Sequence, residues 1–440
     1  MANVSSVTCD VAVIGGGPGG STIAALLAQK GYRVELFEKD RHPRFHIGES
    51  LLPLNLELFE KLGVLQKIAA IGMIKRSAEF YTEEAKGAEQ VYSFADAFDQ
   101  RYPYAYQVRR SEFDEILLRN AQAKGALVHE GWRVTDVEFG KDDVTLAVTD
   151  ADGQPVRATA RYLVDATGRD TFLGGKLRIK HRNPKHTSAA LYSHFRGARR
   201  GTGESEGNIA IHWFPHGWFW FIPLLDGVTS VGAVCWPYYL KTRRTDPSTF
   251  LKDTIALCPS LADRLRDAEM VAPATATGNY SYVCDHMAGH RYVMVGDAFA
   301  FIDPVFSSGV YLAMSSAFKA AEVVDGALED PSAAPALNRA FDRGVRRGLR
   351  QFSWMIYRIT KPTMRYLMLN PGDMLGVKRA VISLLAGDVF RDGPVWWRLM
   401  FFRSIYYSFS LANLRNALRH WRRHKQDIVP QAIQATDGSG

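Results

Sequence analysis

The chain has 440 residues, of which 47% are hydrophobic and 23% charged, and its formal net charge is +8. This composition is typical of a globular protein and excludes disordered, collagen-like and coiled-coil classes, while the length predicts two or three domains at about 100–200 residues each. The excess of basic over acidic residues, 54 against 46, indicates an acidic partner.

Two further absences narrow the class of protein. No run of about 18 apolar residues occurs, and the first ten residues carry no signal-peptide pattern. The four cysteines, Cys9, Cys235, Cys258 and Cys284, are widely spaced. We therefore expect a cytoplasmic protein without a membrane-spanning helix, a metal site or a disulfide framework.

The chain begins with a predicted βαβ unit. A short apolar strand ends at Ile14, and the pattern G-x-G-x-x-G follows at Gly15, Gly17 and Gly20. These glycines permit a tight turn, close approach of a pyrophosphate, and helix–strand packing, respectively. Glu38 ends the next strand, at the spacing typical of a carboxylate that binds a ribose. The unit predicts a dinucleotide site, and a glycine-rich turn without ligand is the weaker alternative.

Next come three polar features near apolar segments. The sequence G-E-S-L-L-P contains Glu49 and Ser50, and Lys75 follows between apolar neighbours. A single lysine is usually a surface residue, but apolar flanks favour burial, which lowers the pKa of the ammonium group. A helix is predicted to start near Arg110.

Two later strands end in turns of small residues, at Ala166-Thr167-Gly168 and at Gly296-Asp297-Ala298. Strand ends of this kind form ligand sites in open α/β sheets. Between them lies W-x-W-x-I-P, in which strand alternation places Trp218 and Trp220 on one face. Without further information this segment is a core strand.

The segment Phe301–Gly309 is predicted to open a helix. Its free backbone N–H groups near Ser308 and Gly309 form a candidate anion site. A serine that only caps the helix is the alternative.

Together these motifs resemble the flavin-dependent halogenases, a branch of the FAD-dependent monooxygenase superfamily. The resemblance implies an α/β fold with a Rossmann-type FAD-binding domain formed by residues 1–80, 104–180 and 274–330. An antiparallel β-sheet substrate domain, residues 81–103 and 181–273, would be inserted into it. A mostly helical, basic C-terminal region (331–425) and a flexible tail (426–440) would follow.

The resemblance also implies the site and its chemistry. Reduced FAD, O2 and chloride or bromide would give hypohalous acid, which Lys75 directs to an electron-rich substrate. Trp218 and Trp220 would keep that substrate away from the flavin, and Ser308 and Gly309 would bind the halide. The implied FAD-binding residues are Gly15, Gly17, Gly20, Glu38, Glu49, Ser50, Arg110, Gly168 and Asp297.

One departure from the family narrows the substrate. Phe306 stands where halogenases of free tryptophan carry a glutamate, which favours a phenolic, pyrrolic or carrier-bound aryl substrate. No second G-x-G-x-x-G follows a strand, so either NAD(P)H binds transiently at the flavin or another protein supplies reduced flavin. We expect the second route, with a separate flavin reductase as the source of reduced FAD. A hydroxylating monooxygenase of an aromatic or polyketide-type substrate and a non-catalytic flavoprotein subunit stay open as alternatives.

The positive charge is concentrated near the C-terminus. Between Arg343 and Lys425 there are 17 Lys and Arg against three acids, a net charge of +14, and the rest of the chain has −6. Three interpretations remain open: a helical cap on the enzyme, a helix at an anionic membrane surface, and a docking face for an acidic acyl carrier protein. Nucleic-acid binding has no matching motif.

Overall fold

The computed structural model describes residues 5–82, 89–391 and 393–412. The predicted tail and the last part of the predicted basic region lie outside the described residues. The described residues form two large β-sheets and a group of C-terminal helices.

The strands, in chain order, are β1 (Ser5–Ile14), β2 (Val34–Glu38), β3 (Met73–Lys75), β4 (Ser77–Thr82), β5 (Glu89–Ser93), β6 (Ala105–Gln107), β7 (Leu127–Glu130), β8 (Arg133–Phe139), β9 (Val144–Thr149), β10 (Pro155–Asp165), β11 (Lys180–Arg196), β12 (Ile209–Phe214), β13 (Gly217–Pro223), β14 (Val228–Cys235), β15 (Glu269–Met270), β16 (Thr275–Cys284), β17 (Ala288–Gly289), β18 (Tyr292–Met294) and β19 (Ala300–Phe301). The helices are α1 (Pro18–Gln29), α2 (Asn55–Leu62), α3 (Leu65–Ile71), α4 (Arg110–Ala123), α5 (Phe172–Lys176), α6 (Pro237–Leu240), α7 (Pro247–Ala256), α8 (Pro259–Arg264), α9 (Ser308–Glu329), α10 (Ala334–Ile356), α11 (Pro362–Leu369), α12 (Val377–Leu385) and α13 (Pro394–Ala412).

The first sheet has a parallel centre in the order β18, β10, β1, β2, β7. Its central strands are buried and apolar, as parallel strands covered on both faces require. Helix α1 packs against α4 on one side and α9 on the other. This arrangement confirms the predicted Rossmann-type fold.

The second sheet runs in the order β19, β16, β11, β14, β13, β12, β4, β5, with β15 beside β11. Its pairs are antiparallel except for β12 and β4, which are parallel. The sheet starts at Ser77 and ends at Phe301, so it extends beyond residues 81–103 and 181–273. The division of the chain into domains stays a prediction.

Strand β13 is buried along its whole length because each of its faces packs into a different hydrophobic core. Trp218 and Trp220 belong to the core shared with the first sheet. Phe219 and Phe221 belong to a second core beneath α7 and α8. The side-chain period of two therefore fixes which residues face the space between the sheets.

The C-terminal helices pack onto the enzyme through aromatic and arginine side chains. The Arg346 guanidinium on α10 lies 4.8 Å from the ring centroid of Phe299, and that of Arg398 on α13 lies 4.8 Å from the centroid of Phe98. These contacts fit the first interpretation, a helical cap, for this part of the region. None of the described helices combines the length and the apolar character that crossing a membrane requires.

We expect Gly232→Ala to destabilise the protein. A Cβ at Gly232 would lie 2.2 Å from a ring carbon of Trp220, which leaves no room for it. Overpacking of this kind lowers the free energy of unfolding by about 1–3 kcal/mol. Denaturant unfolding, monitored by tryptophan fluorescence, measures this loss. The control is Gly344→Ala on α10, where nothing lies within 4 Å and no loss is expected. Unchanged unfolding of the Gly232 variant would contradict this packing.

Candidate functional site

A cavity of about 560 Å³ lies between the two sheets. It brings together most of the residues that the sequence marked as a site. Those that line it are Gly15, Gly17, Glu38, Glu49, Ser50, Arg110, Gly168, Trp218, Trp220, Asp297 and Gly309. The lining does not include the other three predicted residues, which lie behind it: Gly20, Lys75 and Ser308.

The glycine turn forms one end of the cavity. Gly15 has φ +102°, a conformation that favours glycine, and a Cβ at Gly20 would lie 1.9 Å from the Gly15 carbonyl oxygen. At Gly17 the nearest atom to a built Cβ is 3.8 Å away, and no side chain caps α1. The free N–H groups of this helix end therefore face open space that fits a pyrophosphate.

Glu38 lies beside the same turn, buried at the end of β2. Its carboxylate accepts hydrogen bonds from the backbone N–H of Gly16 at 2.6 Å and of Asp40 at 2.9 Å. Each oxygen keeps a second acceptor site, which suits a ribose hydroxyl. Arg44, which the sequence analysis missed, also lines the cavity and lies 3.4 Å from the Asp114 carboxylate.

In the middle of the cavity, a buried carboxylate lies near two arginine side chains. Burial raises the pKa of Asp297 to about 6, and the positive charges of Arg169 and Arg110 act in the opposite direction. Arg110 is held in place by Asp114, with donor–acceptor distances of 2.7 and 2.9 Å, and donates to the Ile47 carbonyl at 2.9 Å. Arg169 was also missed, although it directly follows the predicted Gly168 turn.

Trp218 and Trp220 form the opposite wall of the cavity, 3% and 6% exposed. The Trp220 Nε1 donates to the Ser230 hydroxyl at 3.1 Å, which fixes its ring. Both indole rings therefore lie between the cavity and the rest of the second sheet.

The segment before α9 forms a second candidate anion site. Asp303 accepts from the Val305 N–H at 3.2 Å, and Ser307 has φ +56° and makes no capping hydrogen bond with its side chain. Ser308 is 1% exposed, and its hydroxyl has no partner among the described residues. A buried hydroxyl of this kind costs free energy unless a ligand satisfies it. Helix capping alone does not explain it.

Lys75 lies directly behind the cavity. Strand β3 pairs with β6, and Ser50 forms a bridge to Gln107 of β6, which brings Ser50 next to Lys75. The Lys75 Nζ donates to the Ser50 hydroxyl at 3.0 Å and to the Leu51 carbonyl at 2.5 Å. Because Ser50 lines the cavity, one side chain separates the ammonium group from it.

The electrostatics of Lys75 are those of a buried amine without a counter-ion. Lys75 is 1% exposed and makes no ion pair within the described part of the chain. Burial lowers its pKa to about 7. Arg76, the next residue, adds nothing to this shift, since its side chain turns outward and its guanidinium lies 3.4 Å from the Glu204 carboxylate.

A buried pair beside Ser50 connects the segment after β2 to the second sheet. The Glu49 Oε1 lies 2.9 Å from the Nε2 of His194 on β11. The other oxygen of Glu49 has no hydrogen-bond partner among the described residues. His194 carries no motif in the sequence, and only the fold shows that it belongs to the site.

Comparisons with known proteins agree with this geometry. Residues 8–329 match the family of FAD binding domains. The 1H-pyrrole-2-carbonyl-(peptidyl-carrier protein) chlorinase of Pseudomonas fluorescens is 29% identical over 406 residues, 87% of this chain and 89% of that one. The tryptophan 2-halogenase of Chondromyces crocatus is 34% identical over 75% of this chain and 64% of that one. The solved structure of the myxobacterial chondrochloren halogenase is similar with a TM-score of 0.75, at 33% identity over 88% of this chain and 92% of that one.

We expect the Lys75 amine to make stability depend on pH. Its pKa is about 7 in the fold against 10.5 in a free chain, so the unfolded state binds the extra proton between these values. The free energy of unfolding should therefore rise with pH in this window, relative to Lys75→Met. Urea unfolding of both proteins at several pH values from 7 upward measures the difference. If the free energies of unfolding of the two proteins change with pH in parallel, the lysine keeps its proton in the folded state.

Proposed function

This chain belongs to the flavin-dependent halogenases, which are FAD-dependent oxidoreductases, and on that premise we propose the reaction and the roles of its residues. The enzyme converts chloride or bromide to hypohalous acid and halogenates an electron-rich aromatic group, a phenol or a pyrrole, either free or carried by a carrier protein. The observation that carries the proposal is Lys75, which is buried without a counter-ion among the described residues and lies one side chain behind the cavity that Trp218 and Trp220 line.

The residues around the cavity fit FAD. The Gly17 turn and the start of α1 bind the pyrophosphate, and Glu38 accepts from the ribose hydroxyls. Asp297 and Arg110 hold the middle of the cofactor, near the Gly168 turn. FAD when bound and reduced supplies, with O2, the oxidising power that turns halide into hypohalous acid.

Ser308 and Gly309 bind the halide. The Ser308 hydroxyl is buried and unpartnered among the described residues, and the backbone of Gly309 lines the cavity. Helix α9 starts at Ser308, so its positive end adds to the attraction for an anion.

Trp218 and Trp220 exclude the organic substrate from the flavin side. Their rings occupy the wall where an arene would otherwise enter the cavity, whereas hypohalous acid is small enough to pass. This separation favours halogenation over direct hydroxylation. It also limits the access of bulk water to the oxidant.

Lys75 receives the hypohalous acid on the substrate side. In its charged form the ammonium donates a hydrogen bond to the acid and makes the halogen more electrophilic, and a pKa of about 7 keeps both forms populated near neutral pH. Ser50 and the Leu51 carbonyl hold the Nζ in place. Phe306 replaces a carboxylate, which suits rings that lose their proton readily, such as phenols and pyrroles.

The similarity to the pyrrole-carrier chlorinase supports a carrier-bound substrate, since the alignment covers 87% of this chain and 89% of that one. A separate flavin reductase supplies reduced FAD, because the sequence has one G-x-G-x-x-G unit and no second one after a strand.

We expect Gly17→Val to abolish tight FAD binding without unfolding the protein. The added side chain has 3.8 Å of clearance from the protein but enters the space proposed for the pyrophosphate. Titration of FAD into apoprotein, followed by flavin fluorescence, should show affinity at least about a hundredfold weaker, the loss of roughly 3 kcal/mol. Gly175→Ala, where nothing lies within 4 Å, is the control. Equal affinity for both variants would place the pyrophosphate elsewhere.

We expect Lys75→Met to separate the two halves of the reaction. With reduced FAD, O2, bromide and a panel of phenols and pyrroles, halogenation should fall about 10²–10⁴-fold, the usual contribution of a general acid. Trapping of hypohalous acid by a diketone should persist, because halide oxidation occurs in the cavity. Ser50→Ala should cause a smaller loss, since the Leu51 carbonyl still holds the Nζ.

The assay also tests the reaction class. A hydroxylated product that forms without halide would contradict the proposal and favour a monooxygenase. A protein that binds reduced FAD but does not reoxidise it with O2 would favour a non-catalytic subunit.

A further inference from the structure

An open depression of about 400 Å³ lies between α10 and α13, far from the glycine turn. It is lined by three arginines and by polar and apolar side chains, namely Arg347, Arg350, Gln351, Trp396, Met400 and Arg403. None of these lining residues is acidic. We call this surface the arginine cleft.

The arginine cleft combines positive charge with recessed apolar surface. Trp396 is 49% exposed and Met400 40% exposed, although both have large apolar side chains. Arg403 is held in position by the Gln351 side-chain oxygen at 2.8 Å and by the Trp354 ring, whose centroid is 4.9 Å away. Exposed tryptophan and methionine between ordered arginines are typical of protein interfaces.

Charge favours an occupant from outside this chain. The sequence after α13 contains Arg415, Arg419, Arg422, Arg423 and Lys425, so the chain's own C-terminal segment has the same sign as the cleft. Like charges disfavour contact. An acidic surface is the complementary partner.

The cleft is connected to the site through α10. The residues at and after the end of this helix, Ile356, Tyr357, Ile359 and Thr360, form one wall of a small pocket, and Trp218 and Asp303 belong to its other wall. From Arg350 to Ile356 the helix rises about 9 Å. The cleft therefore lies near the part of the second sheet that carries Trp218.

We propose that the arginine cleft docks an acidic acyl carrier protein, which carries the aryl group as a thioester. This proposal rests on the proposed halogenase function and names the partner of the same site. An acidic helix of the carrier lies in the cleft, with its carboxylates on Arg350 and Arg403 and its apolar side chains on Trp396 and Met400. The concave shape fits a helix, whereas a membrane surface would require a protruding apolar face.

Two exposed positions in the cleft test the proposal. Arg350→Glu and Met400→Glu place negative charge in it without disturbing buried contacts. The substrates are a peptidyl carrier protein loaded with a pyrrole-2-carbonyl or a 4-hydroxybenzoyl group, and the same acyl groups on a small thiol. For a loaded carrier, each variant should raise KM about tenfold or more with little change in kcat, because rim charges act mainly on association.

Three controls define the outcome. Conversion of the small thioesters should be unchanged in both variants, which also shows that they fold and bind FAD. Arg244→Glu, at an exposed arginine on another surface, changes the net charge as much as Arg350→Glu does and should leave the carrier KM unaltered. Added salt should weaken the wild-type preference for the carrier, since screening shortens the range of the arginine charges.

Different results would contradict the docking proposal and the proposed function. If small thioesters or free arenes are halogenated but no loaded carrier is converted faster, the docking proposal is wrong and the halogenase proposal stands. If the cleft variants lose binding to anionic vesicles and keep carrier turnover, the cleft is a membrane surface. If no substrate is halogenated, the proposed function itself fails.

Discussion

The parallel pairing of β10 with β1 on one side and β18 on the other is the constraint on which the site depends. Ile14 lies opposite Asp165, and Asp165 lies opposite Met294, so three strands end at one level. Asp165 secures this edge, because its buried carboxylate accepts from the Thr167 N–H at 3.0 Å and the Leu173 N–H at 2.8 Å. Turns that are far apart in the sequence therefore meet in one cavity.

The second sheet forms the other side of that cavity. Only one face of this sheet packs into the core of the first sheet. The alternation along β13 assigns Trp218 and Trp220 to the first sheet's side and Phe219 and Phe221 to the core beneath α7 and α8. The short pairing of β3 with β6 then places Lys75 behind Ser50. The same few strand contacts thus set both the shape of the cavity and the separation of the lysine from it.

Local motifs predicted much of this arrangement, because glycine turns and strand alternation have fixed geometric consequences. The turn at Gly15, the carboxylate at Glu38 and the orientation of the two tryptophans follow from spacing alone. Arg44 and His194 could not be predicted, since each reaches the site through a fold-level contact between distant segments. The apolar flanks of Lys75 indicated burial, but its position behind Ser50 could not be predicted, because it depends on the pairing of β3 with β6.

The tryptophan wall has a consequence for how long each enzyme molecule works. Indoles are electron-rich arenes, and those of Trp218 and Trp220 line the chamber in which we propose that the oxidant forms. Every molecule of hypohalous acid that lingers there meets the protein's own rings before it meets the substrate. The total number of turnovers before self-inactivation is then set by a race between escape toward Lys75 and damage to the wall.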